Sequence, residues 1–379
     1  MNYCHVNVYI ITVKHMKILE LCLSPGRGGL ELYVVKVCRW TQETCHDVVA
    51  VTCHGSYLNK WLEDAGVESH EINVLNRFFP ILTAKKLAKY IDEEEVDVIH
   101  MHWGKDLVLA VLAKQLAHRL VRIVYTRQMA LTRQKNDIYH RYLYRNIDKY
   151  VVISRQLYDQ AIEYLPMPKA HIQLLYYGVP APKIDSNFDC EKFFQEYELE
   201  KTDFKVGLFG RVEYGKGQHI LLKAIDELVK DGFKIGAYLI GHIMDQEYFD
   251  SLKQYASVNN FTYIGFHNNP SRFMHCFDAI VLASYCETFG LVLIEAMRAG
   301  TTVIGTKCGG VPEIIENGKT GLLFEPGDFE GLKNTLLELV KNEQYRKKLA
   351  LAGKTSADER FSEENHFKTL EMILLGVQT

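Results

Sequence analysis

Residues 205–241 read KVGLFGRVEYGKGQHILLKAIDELVKDGFKIGAYLIG. An apolar run (205–210) enters a glycine-rich turn, a stretch of helical periodicity follows (217–230), and a second apolar run closes the unit (235–241). The same alternation runs through the chain. Further strand candidates are 17–23, 47–53, 96–102, 121–126, 149–154 and 172–177, then 261–265, 279–284, 301–306 and 321–325, with another helical pattern at 328–341. Val- and Ile-rich strands separated by helices predict an α/β fold with parallel sheets covered on both faces.

The turn itself raises a chemical question. Gly210, Gly215 and Lys216 have the spacing of the phosphate-binding loop G-x-x-x-x-G-K-[ST], but Gly217 stands where a hydroxyl would hold magnesium. Without that hydroxyl a metal-dependent triphosphatase is disfavoured. Arg211 and Lys216 beside an accessible glycine backbone suit a diphosphate held by two cations in place of a metal.

A chain of 379 residues predicts two domains. The pattern pauses at 180–204, which begins with prolines and polar residues and contains no clear strand, so the junction is expected there. Net charge is −3, which gives no bulk signal for nucleic acid, and no apolar run approaches the ~18 residues of a membrane span. The nine cysteines (4, 22, 38, 45, 53, 190, 276, 286, 308) form no C-x-x-C pair and suit a reducing compartment better than a disulfide framework. Residues 1–15 lack a basic start and a cleavage site. They read either as an extension preceding a start at Met16 or as an extra edge strand.

In open parallel sheets ligands bind beyond the carboxyl ends of the strands. After strand 17–23, Gly28 and Gly29 precede a helix and offer amides to an anion. At the end of strand 96–102, His100 and His102 point to one face; they are either satisfied structural histidines or polar groups set at a cleft, and no third metal ligand is spaced nearby. After strand 279–284, Glu287 sits in a polar turn, and Phe289, Gly290 and Leu291 open a helix whose amides suit phosphate. Glu295 lies inside the apolar run 291–297, where a carboxylate needs donors such as sugar hydroxyls unless it faces solvent. The glycine pair 309–310 and Pro312-Glu313 read as mainly structural.

Taken together these segments resemble the family 4 glycosyltransferases, retaining enzymes of the bacterial polysaccharide and lipopolysaccharide-assembly type. Glu287-x7-Glu295 matches the family's E-x7-E motif, followed by matching AMRAG and GGVPEII segments, and GRVEYGKG matches its G-R-x4-K-G segment. YYGVP (176–180) is similar to the segment that ends the first domain, with Tyr177 and Pro180 in place of the usual Asn and Asp. The resemblance spans roughly 17–370 and is stronger in the second half. It implies the GT-B fold, two Rossmann-like parallel-sheet domains facing across a cleft. It places an acceptor-side domain at 1–185, a linker at 186–204, a nucleotide-sugar domain at 205–358, and at 359–379 a C-terminal helix packing back on the first domain.

By the same resemblance the catalytic group is His102 (with His100 second), Arg211, Lys216 and Glu287. The donor is held by Gly28, Gly29, Arg211, Lys216, Phe289, Gly290, Leu291 and Glu295, and the segment at 265–269 resembles the base-binding one. The implied reaction moves a sugar from a nucleotide-diphosphate sugar, a UDP-sugar foremost, to a hydroxyl of a glycan or glycolipid. The anomeric configuration is retained, and neither metal nor other cofactor takes part. Rival readings are a sugar-nucleotide epimerase, a glycogen-type phosphorylase and a non-catalytic nucleotide-sugar binder. The expected location is cytoplasmic. Between Lys114 and Arg155 ten Lys or Arg residues are interleaved with tyrosines and opposed only by Asp137 and Asp148. That stretch is either a solvated face or a peripheral docking surface for anionic membrane at its inner face.

Overall fold

A computed structural model of the chain describes residues 15–73, 80–183, 188–197, 202–255, 260–377. Residues 1–14, and with them the choice between an extension and an edge strand, lie outside the described residues. The chain divides into two compact units, one of residues up to Tyr176 together with His366 onward, the other from Tyr177 to Asn365.

In the first unit β1 (Lys17–Cys22), β2 (Asp47–Cys53), β3 (Ser69–Ile72), β4 (Val98–Met101), β5 (Arg122–Arg127), β6 (Lys149–Val152) and β7 (Ile172–Leu174) form a sheet ordered β3-β2-β1-β4-β5-β6-β7. In the second, β8 (Phe204–Phe209), β9 (Ile235–Ile240), β10 (Phe261–Gly265), β11 (Ala279–Leu282), β12 (Thr302–Thr306) and β13 (Leu322–Phe324) are ordered β10-β9-β8-β11-β12-β13. Every strand pair is parallel. Each order reverses beside its first strand, between β1 and β4 and between β8 and β11, which is where a doubly wound sheet opens a ligand crevice.

The strand candidates all appear, with ends that differ by no more than three residues. One strand has no apolar signature. β3 is SHEI, polar and nowhere fully buried, because it is the outer strand of its sheet and half of it faces water. The central strands are the reverse case: β9 is buried along its whole length, which only helices on both faces permit.

The segment 186–204, read as a linker, is more than that. Its helix Cys190–Gln195 puts Phe193 against Phe273 and Phe194 against Phe277 in the second unit. Cys190 is joined to Cys276 by a disulfide over a sequence separation of 86. Sequence spacing gave no hint of this pairing, because the fold alone brings the two cysteines together. Six other cysteines among the described residues form no disulfide. The first unit takes back the last helix, Glu363–Leu375: Phe367 stacks on Trp40, and Arg122 donates to the Leu374 carbonyl at 2.6 Å. Among the described residues no helix is long and apolar enough to cross a membrane.

Candidate active site

The second unit gathers its candidates at the β8/β11 reversal. After β8 the chain makes a short 3-10 turn, Tyr214–Lys216, and enters the helix Gln218–Lys230 through Gly217. Gly217 has φ +70, and a Cβ there would lie 2.1 Å from the carbonyl oxygen of Ala283 at the end of β11. Positive φ and the close approach each require glycine. The residue that spoils the triphosphatase motif is thus the one that lets the β8 loop touch the β11 loop. The Tyr285 amide donates to the Gly215 carbonyl at 3.1 Å and fixes the contact.

That contact brings Lys216 to Glu287: Nζ donates to Oε2 at 2.8 Å, with the two side chains 21% and 20% exposed. The Glu287 loop is braced from below. Thr306 Oγ1 donates to the Ser284 carbonyl at 2.8 Å and Cys308 Sγ to the Tyr285 carbonyl at 3.1 Å. Gly310 packs so closely that a Cβ would stand 2.7 Å from the Thr288 carbonyl oxygen. The glycine pair read as structural therefore shapes the site indirectly. On the other side Tyr214 stacks on both His219 and Tyr285, and the His219 ring bonds to Tyr248 Oη at 2.7 Å and Tyr285 Oη at 3.1 Å. Burial lowers the His219 pKa, which keeps this bracing ring neutral. Nothing in the sequence reading flagged this aromatic support.

Arg211 is 58% exposed and pairs with Glu213 at 2.9 Å, while its carbonyl accepts from the buried Gln218. It lies on the same loop as Lys216 but is not drawn into the Lys216–Glu287 pair. Phe289 is buried, Gly290 caps the helix Leu291–Arg298 at φ +98, and Leu291 is exposed at its first position. Glu295, one turn on from Leu291, shares that open face and is only partly buried; the helix buries Leu293, Ile294, Ala296 and Met297 instead.

In the first unit the candidates behave differently. The glycine loop after β1 is already occupied by a carboxylate. Buried Glu31 accepts from the Gly28 amide at 2.8 Å and from Ser24 Oγ at 2.5 Å, and a Cβ on Gly26 would meet it at 2.7 Å. The Gly28 amide expected to face an anion therefore caps its own helix, a capping box that the sequence GGLE permits. The space at Gly29 is open.

His100 and His102 share a partner the sequence spacing did not supply, Glu20 on the neighbouring β1. Glu20 pairs in register with His100, and all three side chains are fully buried. His102 Nε2 donates to Glu20 Oε2 at 2.6 Å and His100 Nδ1 to Oε1 at 3.0 Å, while His100 Nε2 and Thr126 Oγ1 on β5 are hydrogen-bonded at 2.7 Å. Burial alone would raise the Glu20 carboxyl, but His100 and then His102 outweigh it and hold it at about 2. Burial, then His100, pushes His102 down to about 4. His102 is thus neutral beside an ionised carboxylate, and it keeps a bare Nδ1 lone pair that is buried and has no partner among the described residues.

The three could be taken for metal ligands, since their ligand atoms lie within 4.8 Å of one another. Yet 2.6 Å between His102 and Glu20 is hydrogen-bond distance; a metal about 2.0–2.2 Å from both would hold them farther apart. The signal that could have revealed Glu20 is a carboxylate in the middle of the apolar strand KILELC. Tyr33 stands edge-on to His102 and bonds His366 of the last helix at 2.9 Å, an arrangement no local spacing predicts.

Comparison with known proteins bears on the family and the fold. The family described as Glycosyl transferases group 1 matches residues 189–356, and the Glycosyl transferase 4-like domain matches 28–178. N-acetyl-alpha-D-glucosaminyl L-malate synthase of Bacillus anthracis is 25% identical over 93% of this chain and 95% of its own. The capsular polysaccharide biosynthesis glycosyltransferase CapM of Staphylococcus aureus is 24% identical over 78% and 80%. Among solved structures, Anabaena Alr3699/HepE in complex with UDP superposes with a TM-score of 0.84 at 23% identity, covering 96% of this chain and all of that one (100%). The chain belongs to the family 4-type glycosyltransferases, and is a nucleotide-sugar-dependent enzyme of the GT-B fold.

Proposed function

We propose that this enzyme moves a sugar from a UDP-sugar to a hydroxyl of a glycan or glycolipid acceptor with retention of configuration, in the building of a surface polysaccharide or lipopolysaccharide. The observation that carries the reading is the Lys216–Glu287 pair at the β8/β11 reversal, a half-open charge pair on a braced loop. In this reading Lys216 and Arg211 offset the charge that grows on the departing diphosphate, and Glu287 accepts hydrogen bonds from the donor sugar. Glu295 contacts the ribose from the open face of its helix. Phe289, Gly290 and Leu291 present helix amides to phosphate, and Gly29, whose surroundings are open, is a further donor-binding residue. His102 Nδ1, a lone pair without a partner, accepts from a sugar hydroxyl. The leaving phosphate takes the acceptor's proton on the same face, and the two cations replace a metal. The UDP in the Anabaena structure favours uridine, and the name of the Staphylococcus relative favours capsule-type products.

An acceptor with negative charge fits a cavity of about 530 Å³ in the first unit, whose lining includes Trp103, Lys105, Arg127, Lys135 and Tyr144. The basic stretch 114–155 splits into two parts. Lys114, Arg119 and Arg155 are paired with carboxylates, and Arg122, Arg127 and Lys149 with backbone carbonyls; Arg141 also donates to the Asn136 carbonyl at 2.9 Å but stays exposed. Membrane docking therefore rests on Arg133, Lys135, Arg141 and Arg145, around the 88% exposed Ile138. Neutralising these four should abolish salt-sensitive binding to anionic vesicles; unchanged recovery would leave them as solubilising surface. The reaction is tested by offering UDP-, GDP- and ADP-sugars with candidate acceptors in the presence of EDTA and reading the anomeric configuration by NMR. Retained configuration with release of UDP is expected. Inversion, a strict metal requirement, or an isomerised donor without acceptor would each overturn the corresponding part.

A further inference from the structure

A second cluster of chemistry-bearing side chains lies in the second unit, at the opposite end of β11 from Glu287. Cys190 opens the helix Cys190–Gln195, and His275 and Cys276 sit in the turn Met274–Cys276 that leads into β11. His275 Nε2 is 3.7 Å from the sulfur of each cysteine. The other ring nitrogen, Nδ1, is buried and has no partner among the described residues. The two sulfurs are therefore the polar atoms facing this ring, and sulfur in a disulfide is a poor hydrogen-bond acceptor. Phe188 stands edge-on to the ring at 6.2 Å and, with Phe193 and Phe273, walls the group with aromatic carbon.

We propose that the reduced chain binds a zinc-class ion here through Cys190 Sγ, Cys276 Sγ and His275 Nε2. Two thiolates and an imidazole are a soft donor set suited to Zn²⁺. With Zn–S near 2.3 Å and Zn–N near 2.0–2.1 Å, the N-to-S edge of a tetrahedron is about 3.6 Å, and both edges here are already 3.7 Å. Only the sulfurs need to part, and their Cα atoms, 5.5 Å apart, need not move far. Opening the bridge consumes two external thiols, which leave as their disulfide while Cys190 and Cys276 each gain a proton; the metal then displaces both protons from sulfur. Three protein ligands leave the fourth position to water. The disulfide and the metal exclude each other, so the site is gated by the thiol state.

The test uses the full chain, reduced with a phosphine, freed of metal, and split into reduced and disulfide-oxidised samples whose thiols are counted. Co²⁺ is the probe, followed by Zn²⁺ competition. One equivalent of Co²⁺ with intense thiolate-to-cobalt absorption is expected in the reduced sample and none in the oxidised one, with recovery on re-reduction. H275A should weaken binding at least tenfold, and the double variant C190S/C276S should abolish it, with circular dichroism to verify folding. Equal Co²⁺ uptake by reduced and oxidised samples, or a signal surviving in C190S/C276S and lost in C286S/C308S, would overturn the proposal. So would a reduced sample with its full thiol count that binds no Co²⁺.

Discussion

The two units share one strand order and put their candidate residues at the same reversal, yet they are built on opposite electrostatic principles. In the second unit Lys216 and Glu287 are carried on loops, remain about one-fifth exposed, and meet as a charge pair that a ligand can enter. In the first, Glu20, His100 and His102 are carried on adjacent strands, are fully buried, and are tied together by the Glu20 carboxylate. An exposed pair contributes little to stability and much to recognition, whereas a buried charge leaves its neighbours stranded when removed. Function is therefore expected to respond to loss of the Lys216–Glu287 pair, and the fold to loss of Glu20.

The largest effect should come from Glu20→Ala, which leaves two buried imidazoles without their acceptor. A loss of about 3–5 kcal/mol in folding stability is expected from denaturant titration, concentrated in the first unit. A variant as stable as the parent would break the contrast. Glu287→Gln should do the opposite. Turnover should fall by about 2–4 kcal/mol in activation free energy, the range for a preorganised electrostatic contact, with an unchanged melting temperature. Gly217→Ala should combine both effects. It places a side chain at positive φ against the Ala283 carbonyl and should cost about 1–3 kcal/mol of stability, and it should lower activity through the shifted Lys216. If activity survives at full stability, the contact between the two loops is not what holds the site.

Acid sharpens the comparison with a smaller effect. His102 and His366, both in the first unit, have folded pKa values lowered to about 4, by burial first. The unfolded chain takes up protons near the ordinary value of 6.5, so their contribution is present above that pH and is lost as pH falls towards 4. Glu20, held at about 2, acts in the same direction at lower pH, losing its contribution as pH falls below the ordinary carboxyl range. Hydrogen exchange at pH 7 and pH 5 should show β1 and β4 losing protection before β8 and β11. The reverse order would contradict the assignment.

This contrast also explains what could be read in the sequence. The second-unit site lies in two contiguous segments, 210–217 and 283–300, so its residues are neighbours in sequence before they are neighbours in space. Even there Gly217 was readable only as a defect, since the Ala283 carbonyl it must admit belongs to another strand. Glu20 meets His100 through sheet register, and His366 reaches Tyr33 over 333 residues; no local spacing encodes either. The Cys190–Cys276 pair and the packing of the 190–195 helix escaped for the same reason, and β3 escaped because an edge strand needs no apolar run.

The central claim is that Lys216 grips the diphosphate of a nucleotide sugar. It is tested most directly by calorimetric titration of UDP into the parent chain and Lys216→Ala, in EDTA, at matched melting temperature. A hydrogen bond to a charged group is typically about 1.5–3 kcal/mol, so the variant should bind UDP at least tenfold more weakly, while uridine, which has no diphosphate, binds both chains alike. Equal UDP affinity for the two chains would contradict the account.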